Sequence, residues 1–483
     1  MSSLPAPDLA RVAKDLETLA SHRDPDAPGW TRRVFSRFDR AGREWVAGRM
    51  EEAGLTVETD AAANLIGRLP GAAGRSGATG PSGATRPSGA TGPSGEAHPP
   101  GEAHPPGAGR SGAIVTGSHT DTVQGGGRYD GIVGVLGAIE AVRCLRQAGA
   151  ELEHDLVVVD FLGEEPNDFG LSCVGSRAMA GALDEGHLAL VGPDGRTLAE
   201  ALEEAGGRPA ALAGARWSAG LHCYLELHIE QGPVLEQARV PIGVVTGIVG
   251  IHRLLAHITG QPDHAGTTPM GKRRDALLGA AETALAIERL AVELLAVEAA
   301  LAGERLAIQR LAHARPAAGG VATTGRLEVR PGASNVVPAE ADLWAEARSA
   351  EEKTLAEFER KLGEELGAIG ARRHLGTSLS WISREPPVLV TDWVASAIGQ
   401  AARSQGIESL SIPSGAGHDA SYMARLGPMG MVFVPSRAGR SHCPEEWTDL
   451  EDIGRGIAVL AQAVIICDHR EEAVPGEAAQ RAT

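Results

Sequence analysis

At 483 residues the chain is too long for one ordinary domain and predicts two or three. A hydrophobic content of 43% with 22% charged residues is that of a globular protein, and a formal charge of −17 argues against nucleic acid or an anionic membrane as partner. Aromatic residues at 3% also leave little material for base-stacking platforms.

The first residues, Met1 to Pro7, carry no basic or apolar leader, and no apolar run reaches membrane-spanning length. Five scattered cysteines without CxxC spacing read as reduced thiols, so the expected location is the cytoplasm. Helical periodicity covers 7–22 and 38–53 and leads into a strand at Asn64–Leu69. From 71 to 112 the chain becomes Gly, Ala, Pro and Ser with nearly repeated GATGPSG and GEAHPP units. Such a stretch cannot bury enough apolar surface to offset its ordering entropy, so it reads as a disordered insertion in a turn, and His98 and His104 within it as loop residues.

From Ala113 strand and helix alternate: strand 113–117, helix 131–147, an apolar strand 155–162, a helix around 176–183 and a strand 221–228. This pattern predicts a mainly parallel sheet with helices on both faces and ligands gathered at strand carboxyl ends. A second pattern begins at 247, with strand 251–259, a long helix 273–301, strands 321–329 and 341–346, and helix 351–366. It predicts an inserted α+β sandwich over 247–385 that splits the first domain into 1–246 and 386–483. Strand 431–435 follows, then a last helix opened by Thr448, with Glu451 completing a capping box.

Acidic and imidazole residues recur at the ends of the predicted strands: His119 and Asp121, Asp130, Glu164-Glu165, His228 and His442. Each alone has a bland reading, a core histidine or a solvated acidic turn. Together they form the inventory of a two-metal hydrolytic site, with imidazole and carboxylate ligands, a bridging carboxylate and one acid left as base. His119 and Asp121 are two apart and would share one face of a strand, so one can ligate while the other orients it. Glu164 and Glu165 would point to opposite sides of a strand, so one can ligate while the other acts as base. The Gly125-Gly126-Gly127 loop lacks the Lys-Ser/Thr of a phosphate cradle.

With these residues in view, the chain resembles the hydantoinase/carbamoylase amidases of the dinuclear aminoacylase and carboxypeptidase superfamily. The resemblance rests on GSHTDTVQGGGRYDGIVGVL, FLGEEPNDFG, ELHIEQGPVLE, DHAGTTPMGKRRDAL, SGAGHDASYMA and GRSHCPEEWTDL, and covers nearly everything outside 71–112. It implies a zinc-exopeptidase-like catalytic domain with an inserted lid and dimerisation domain. His119 and His228 would hold one divalent metal and Glu165 and His442 the other, with Asp130 bridging. Glu164 would be the general base on the bridging water, and Asp121 would steady His119. His264 would reach a partner subunit's site in a homodimer, while Gln231, Asn335 and Arg348 would bind the substrate's carboxylate and ureido group. Histidine at 228, where peptidase-like relatives place an acid, implies ureido or amide hydrolysis, with N-carbamoyl-L-amino acids as substrates. The alternatives are allantoate or N-carbamoyl-β-alanine and, further off, aminoacylase or peptidase activity, or a non-catalytic scaffold. Zinc, manganese, cobalt and nickel all suit the ligand set. The chain departs from the family at Asp263, Gly332, Glu346 and Cys443, none of them a metal ligand.

Overall fold

The computed structural model describes residues 4–72, 112–295 and 320–470. The low-complexity segment read as an insertion lies almost wholly outside the described residues, as does the end of the helix expected to reach Leu301.

Helices α1 (Leu9–Ser21) and α2 (Arg37–Glu52) begin at side-chain caps, with Asp8 accepting the Arg11 N–H and Ser36 the Asp39 N–H. They precede strands β1 (Thr56–Thr59) and β2 (Leu65–Leu69). Next come β3 (Ala113–His119), α3 (Ile132–Gln147), β4 (Leu156–Phe161), α4 (Val174–Met179), β5 (Leu221–Ile229) and β6 (Ile242–Ile248). The inserted part comprises β7 (Gly250–Thr259), α5 (Ala276–Leu290), β8 (Val321–Arg330), β9 (Glu340–Ser349), α6 (Glu352–Arg373) and β10 (Gly376–Glu385). The chain closes with β11 (Val388–Leu389), α7 (Asp392–Ser404), β12 (Ser409–Ser414), β13 (Met429–Val434) and α8 (Leu450–Asp468).

The larger, nine-stranded sheet runs β1-β2-β4-β3-β5-β13-β6-β11, with β12 added on β6. Its centre, β4-β3-β5-β13, is parallel throughout. Apolar runs make both faces of these strands core. Leu156 and Val158 pack with α3 and α8, while Val157, Val159 and Phe161 pack on the opposite side with Met179 and Met423. Two-sided burial explains why β4 reads as a near-continuous apolar run without alternation.

The smaller sheet, β10-β7-β9-β8, is antiparallel and formed wholly from chain lying between β6 and β11. One face is buried by α5 and α6 through Leu254, Ile258, Leu343, Phe358 and Leu362, and β9 accordingly alternates buried and half-buried residues. Among the described residues no helix is long and apolar enough to cross a membrane.

Several expected elements shift. Strand β9 and helix α6 extend beyond 341–346 and 351–366, and α5 ends at Leu290, followed by a π-turn over Ala291–Leu295. Helix α8 is capped at Asp449 rather than Thr448, and no side chain closes a capping box. Thr448 is buried with its Oγ1 unpartnered, Glu451 projects into solvent, and the Asp449 carboxylate is occupied by Arg437 and the Trp447 indole.

Candidate metal centre and active site

Two of the four central parallel strands end in or beside a candidate residue, and the loops after the other two carry others. His119 is the last residue of β3, and His228 is the penultimate residue of β5. Glu164 and Glu165 follow β4, and His442 lies in the loop after β13. Loops at these ends converge on Asp130, which sits just before α3 with Gly131 at the cap.

Asp130 joins two groups of ligand atoms. One contains His119, Asp130 and His228, and the other Asp130, Glu165 and His442. Its Oδ1 lies 3.2 Å from His228 Nε2, and its Oδ2 lies 3.1 Å from His442 Nε2. His442 Nε2 is also 3.3 Å from Glu165 Oε1. Two of the imidazoles are oriented from behind: His119 Nδ1 sits 3.0 Å from the Asp121 carbonyl oxygen and His228 Nδ1 2.9 Å from that of Ile229. An Nδ1–H given to a carbonyl leaves the Nε2 lone pair facing outward, as a metal ligand requires, although that of His228 also accepts the Gly131 N–H at 3.2 Å.

The electrostatics point the same way. Burial works against a charged His119, yet Asp121, Glu164 and Asp130 hold its pKa well above the ordinary value. Hydrogen bonds to Asp130 and Glu165 lift His442 to about 11. Burial, reinforced by neighbouring carboxylates, pushes Glu164 well above its usual range, whereas its imidazole neighbours hold Asp130 well below it. Buried carboxylates outnumber cations here, so the pocket is short of positive charge, and divalent ions fit that deficit.

The structure revises how the acidic pair is separated. Glu164 and Glu165 lie beyond β4, after Gly163 in the left-handed region, so strand alternation does not direct them. The Asp121 carboxylate separates them instead: Oδ1 accepts the Glu164 N–H and Oδ2 the Glu165 N–H, each at 3.2 Å. Asp121 also lies past the end of β3, and it meets His119 Nδ1 with both its backbone carbonyl, at 3.0 Å, and its carboxylate Oδ1, at 3.5 Å. Glu164 is buried and belongs to neither ligand group, 3.6 Å from His119 Nε2.

Gln231 donates through Nε2 to Asp130 Oδ2 at 2.7 Å, and its Oε1 is buried without a donor. The carboxylate opposite fixes that amide orientation, since only the NH2 can face it. Arg348, in β9, gives Nε and Nη2 to Glu346 and Nη1 to the Gly415 carbonyl, thereby tying the smaller sheet to the loop before His418. His264 and Asn335 lie on adjoining exposed loops, with the Ala265 N–H on the Asn335 carbonyl. His264 Nδ1 accepts the Gly266 N–H, and none of its hydrogen bonds reaches the ligand groups of its own chain.

Three residues with no role assigned from sequence also belong to this region. His418 stacks edge-on against His228 at 4.5 Å and shares a hydrogen bond with Ser414. Glu226, His228 and His418 form a third group of close ligand atoms, but the Glu226 oxygens already accept from Ser118 and Tyr224. Buried Glu446 accepts from the backbone of Tyr129 and Asp130 and from Ser441. These residues fall within ELHIEQGPVLE, SGAGHDASYMA and GRSHCPEEWTDL, so the signal was present, but none follows a strand directly. Glycine is required beside Asp130, because a Cβ on Gly131 would stand 2.3 Å from His119 Nε2 and one on Gly127 would stand 2.0 Å from Glu446 Oε1.

Residues 115–465 match peptidase family M20/M25/M40. The chain belongs to that family. It is 34% identical over 460 residues to an N-carbamoyl-L-amino-acid amidohydrolase of Paenarthrobacter aurescens, covering 95% of this chain and 98% of the relative. It is 33% identical over 465 residues to a ureidoglycolate hydrolase of Oryza sativa subsp. japonica, covering 95% and 84%. A crystal structure of a hydantoinase/carbamoylase family amidase from Burkholderia multivorans superposes with a TM-score of 0.75 at 32% identity, over 97% of this chain and 99% of that one. These matches place this M20 chain among the hydantoinase/carbamoylase amidases, hydrolases of C–N bonds in linear amides.

Proposed function

We propose that the chain removes the carbamoyl group from N-carbamoyl-L-amino acids, releasing the L-amino acid, carbon dioxide and ammonia. The observation that carries this reading is the donorless Oε1 of Gln231, buried beside Asp130. An unsatisfied buried acceptor costs about 1–3 kcal/mol, and a ureido group brings a terminal NH2 that a simple acyl group lacks. Resemblance over almost the whole length to an amidohydrolase of N-carbamoyl-L-amino acids supports the same substrate class.

Two divalent ions, zinc or manganese with cobalt or nickel as alternatives, would be held by His119, His228 and Asp130 and by Asp130, Glu165 and His442. When bound, they supply Lewis acidity and make water a stronger acid. Glu164 takes a proton from the attacking water as the oxygen adds to the ureido carbonyl carbon. It returns that proton to the amino-acid nitrogen as the C–N bond breaks, and the carbamate released decays to carbon dioxide and ammonia. Asp121 holds the backbone of base and ligand together, keeping Glu164 in register with Glu165. Arg348 and Asn335 receive the substrate carboxylate, and Gln231 the ureido group.

His264, exposed and without a hydrogen bond to its own ligand groups, would polarise the carbonyl in a partner subunit's site. Leu278 and Leu285 on α5, with Val292 beyond it, recur at seven-residue steps and are exposed, as are Val321 and Leu327 on edge strand β8. That apolar face, and an edge strand with no further strand paired on it among the described residues, support a homodimer. Mixing inactive His264→Ala and Glu164→Gln chains restores about a quarter of wild-type activity by subunit exchange if sites are shared. Mixed dimers seen by native mass spectrometry without recovered activity would refute the shared site. The five free cysteines support a reducing compartment, the cytoplasm.

The substrate is tested by assaying metal-reconstituted protein on N-carbamoyl-L-amino acids, N-carbamoyl-β-alanine, allantoate and ureidoglycolate. The highest kcat/KM is expected on an N-carbamoyl-L-amino acid. A hundredfold preference for ureidoglycolate, about 2.7 kcal/mol, would instead favour the second reading supported by the rice relative.

A further inference from the structure

The two ligand groups differ in how firmly they are held. His119 and His228 sit on buried central strands with Nδ1 against backbone carbonyls. His442 is half exposed, lies in a loop and has a φ of 56°, a conformation unfavourable to a residue with a side chain. One buried carboxylate ties that loop to the loop carrying Asp130. Glu446 Oε1 accepts the N–H groups of Tyr129 at 2.8 Å and Asp130 at 3.1 Å, while Oε2 accepts from Ser441 Oγ at 2.8 Å. Ser441 Oγ also lies 3.1 Å from Asp130 Oδ2, so its single proton has two acceptors within reach. Glu446 reaches this position because Gly127 has no Cβ to block it.

We propose that Glu446 is a positioning residue that sets the distance between the shared carboxylate Asp130 and the ligand His442, and thereby controls affinity for the second ion. This inference rests on the two-ion reading of the site. Its effect falls on the Asp130–Glu165–His442 group, because His119 and His228 have anchors of their own. Glutamine at 446 keeps an oxygen for the two N–H groups and offers its NH2 to Ser441, whose proton then goes to Asp130. Alanine removes every tie at once.

The test is titration of chelator-stripped, full-length protein with cobalt(II), following the visible d–d absorption and the number of ions bound, with thermal unfolding of the metal-free proteins alongside. Wild type should bind two ions; in Glu446→Ala the second should bind about 10–100-fold more weakly and the first within about threefold of wild type, whereas Glu446→Gln stays near wild type for both. Second-ion affinity unchanged in Glu446→Ala overturns the proposal. So does a Glu446→Gln protein that loses both ions together with metal-free thermal stability, since the residue then braces the fold. If Glu446→Ala does not fold, Glu446→Asp carries the test. It keeps a carboxylate and leaves the Ser441 contact with Asp130 in place, but is one methylene too short to span from the Tyr129 and Asp130 N–H groups to Ser441. A weaker second ion then supports the proposal and an unchanged one overturns it. Wild type that binds fewer than two ions would instead defeat the two-ion reading itself.

Discussion

Replacing Glu164 with glutamine is expected to lower kcat by about 10²–10⁴-fold, roughly 3–5 kcal/mol of barrier, with the bound metal unchanged. Glutamine keeps the size of the side chain but cannot take up a proton. The backbone around residue 164 is fixed independently of its carboxyl group, by Asp121 accepting its N–H and by the Cys173 N–H on its carbonyl. The carboxyl belongs to neither ligand group, so its loss should not release ions. Burial raises its pKa, which suits a group that must return the captured proton to the leaving nitrogen in the same turnover. Steady-state kinetics with metal analysis on the same preparation measures this. Turnover within tenfold of wild type at full metal content would remove Glu164 from the reaction.

Asp130→Ala should do what no other single ligand change does, emptying both metal positions together. Asp130 is common to the two groups, so its removal takes one donor from each. His442→Ala or Glu165→Ala strips only one group and should leave an ion with His119 and His228. Activity of Asp130→Ala is expected at or below about 10⁻³ of wild type, because Lewis acidity is worth several kcal/mol. The rise in melting temperature on adding metal should vanish as well, since an ion at a hundred times its Kd contributes about 2.7 kcal/mol to folding stability. Ions per chain after desalting, with melting curves at increasing metal, decide the matter. A variant that retains one tightly bound ion would show that Asp130 is not shared.

The centre of the fold was legible because strand and helix alternate there, with burial on both faces writing β4 as a near-continuous apolar run, and the candidate ligands stand at or just beyond the ends of β3, β4 and β5. The periphery was not. Strand β10, GTSLSWISRE, alternates with mostly polar residues, and β12 adds to the sheet only through its pairing with β6. The same limit applied at the site. His119, Asp130 and His228 announce themselves by residue type and position, whereas Glu446 meets Tyr129 across 317 residues of chain, a separation no local pattern encodes. The roles of Asp121 were half legible. Its service to His119 was implied by the resemblance, but its grip on the backbone of both glutamates depends on a turn at Gly163 that brings two loops together.

Gly127 and Gly131 have a consequence for how this protein can change. A methyl group at either position would overlap a Glu446 oxygen or the ring of His119, so the loop around Asp130 tolerates no growth on either side. Mutational freedom is therefore concentrated elsewhere, on the exposed loops and strand of the smaller sheet that carry Asp263, Gly332 and Glu346. Three of the four departures that the resemblance implies lie there, while the fourth, Cys443, adjoins His442. Directed evolution toward new substrates should find its productive changes there, around a reaction centre that stays the same from one variant to the next.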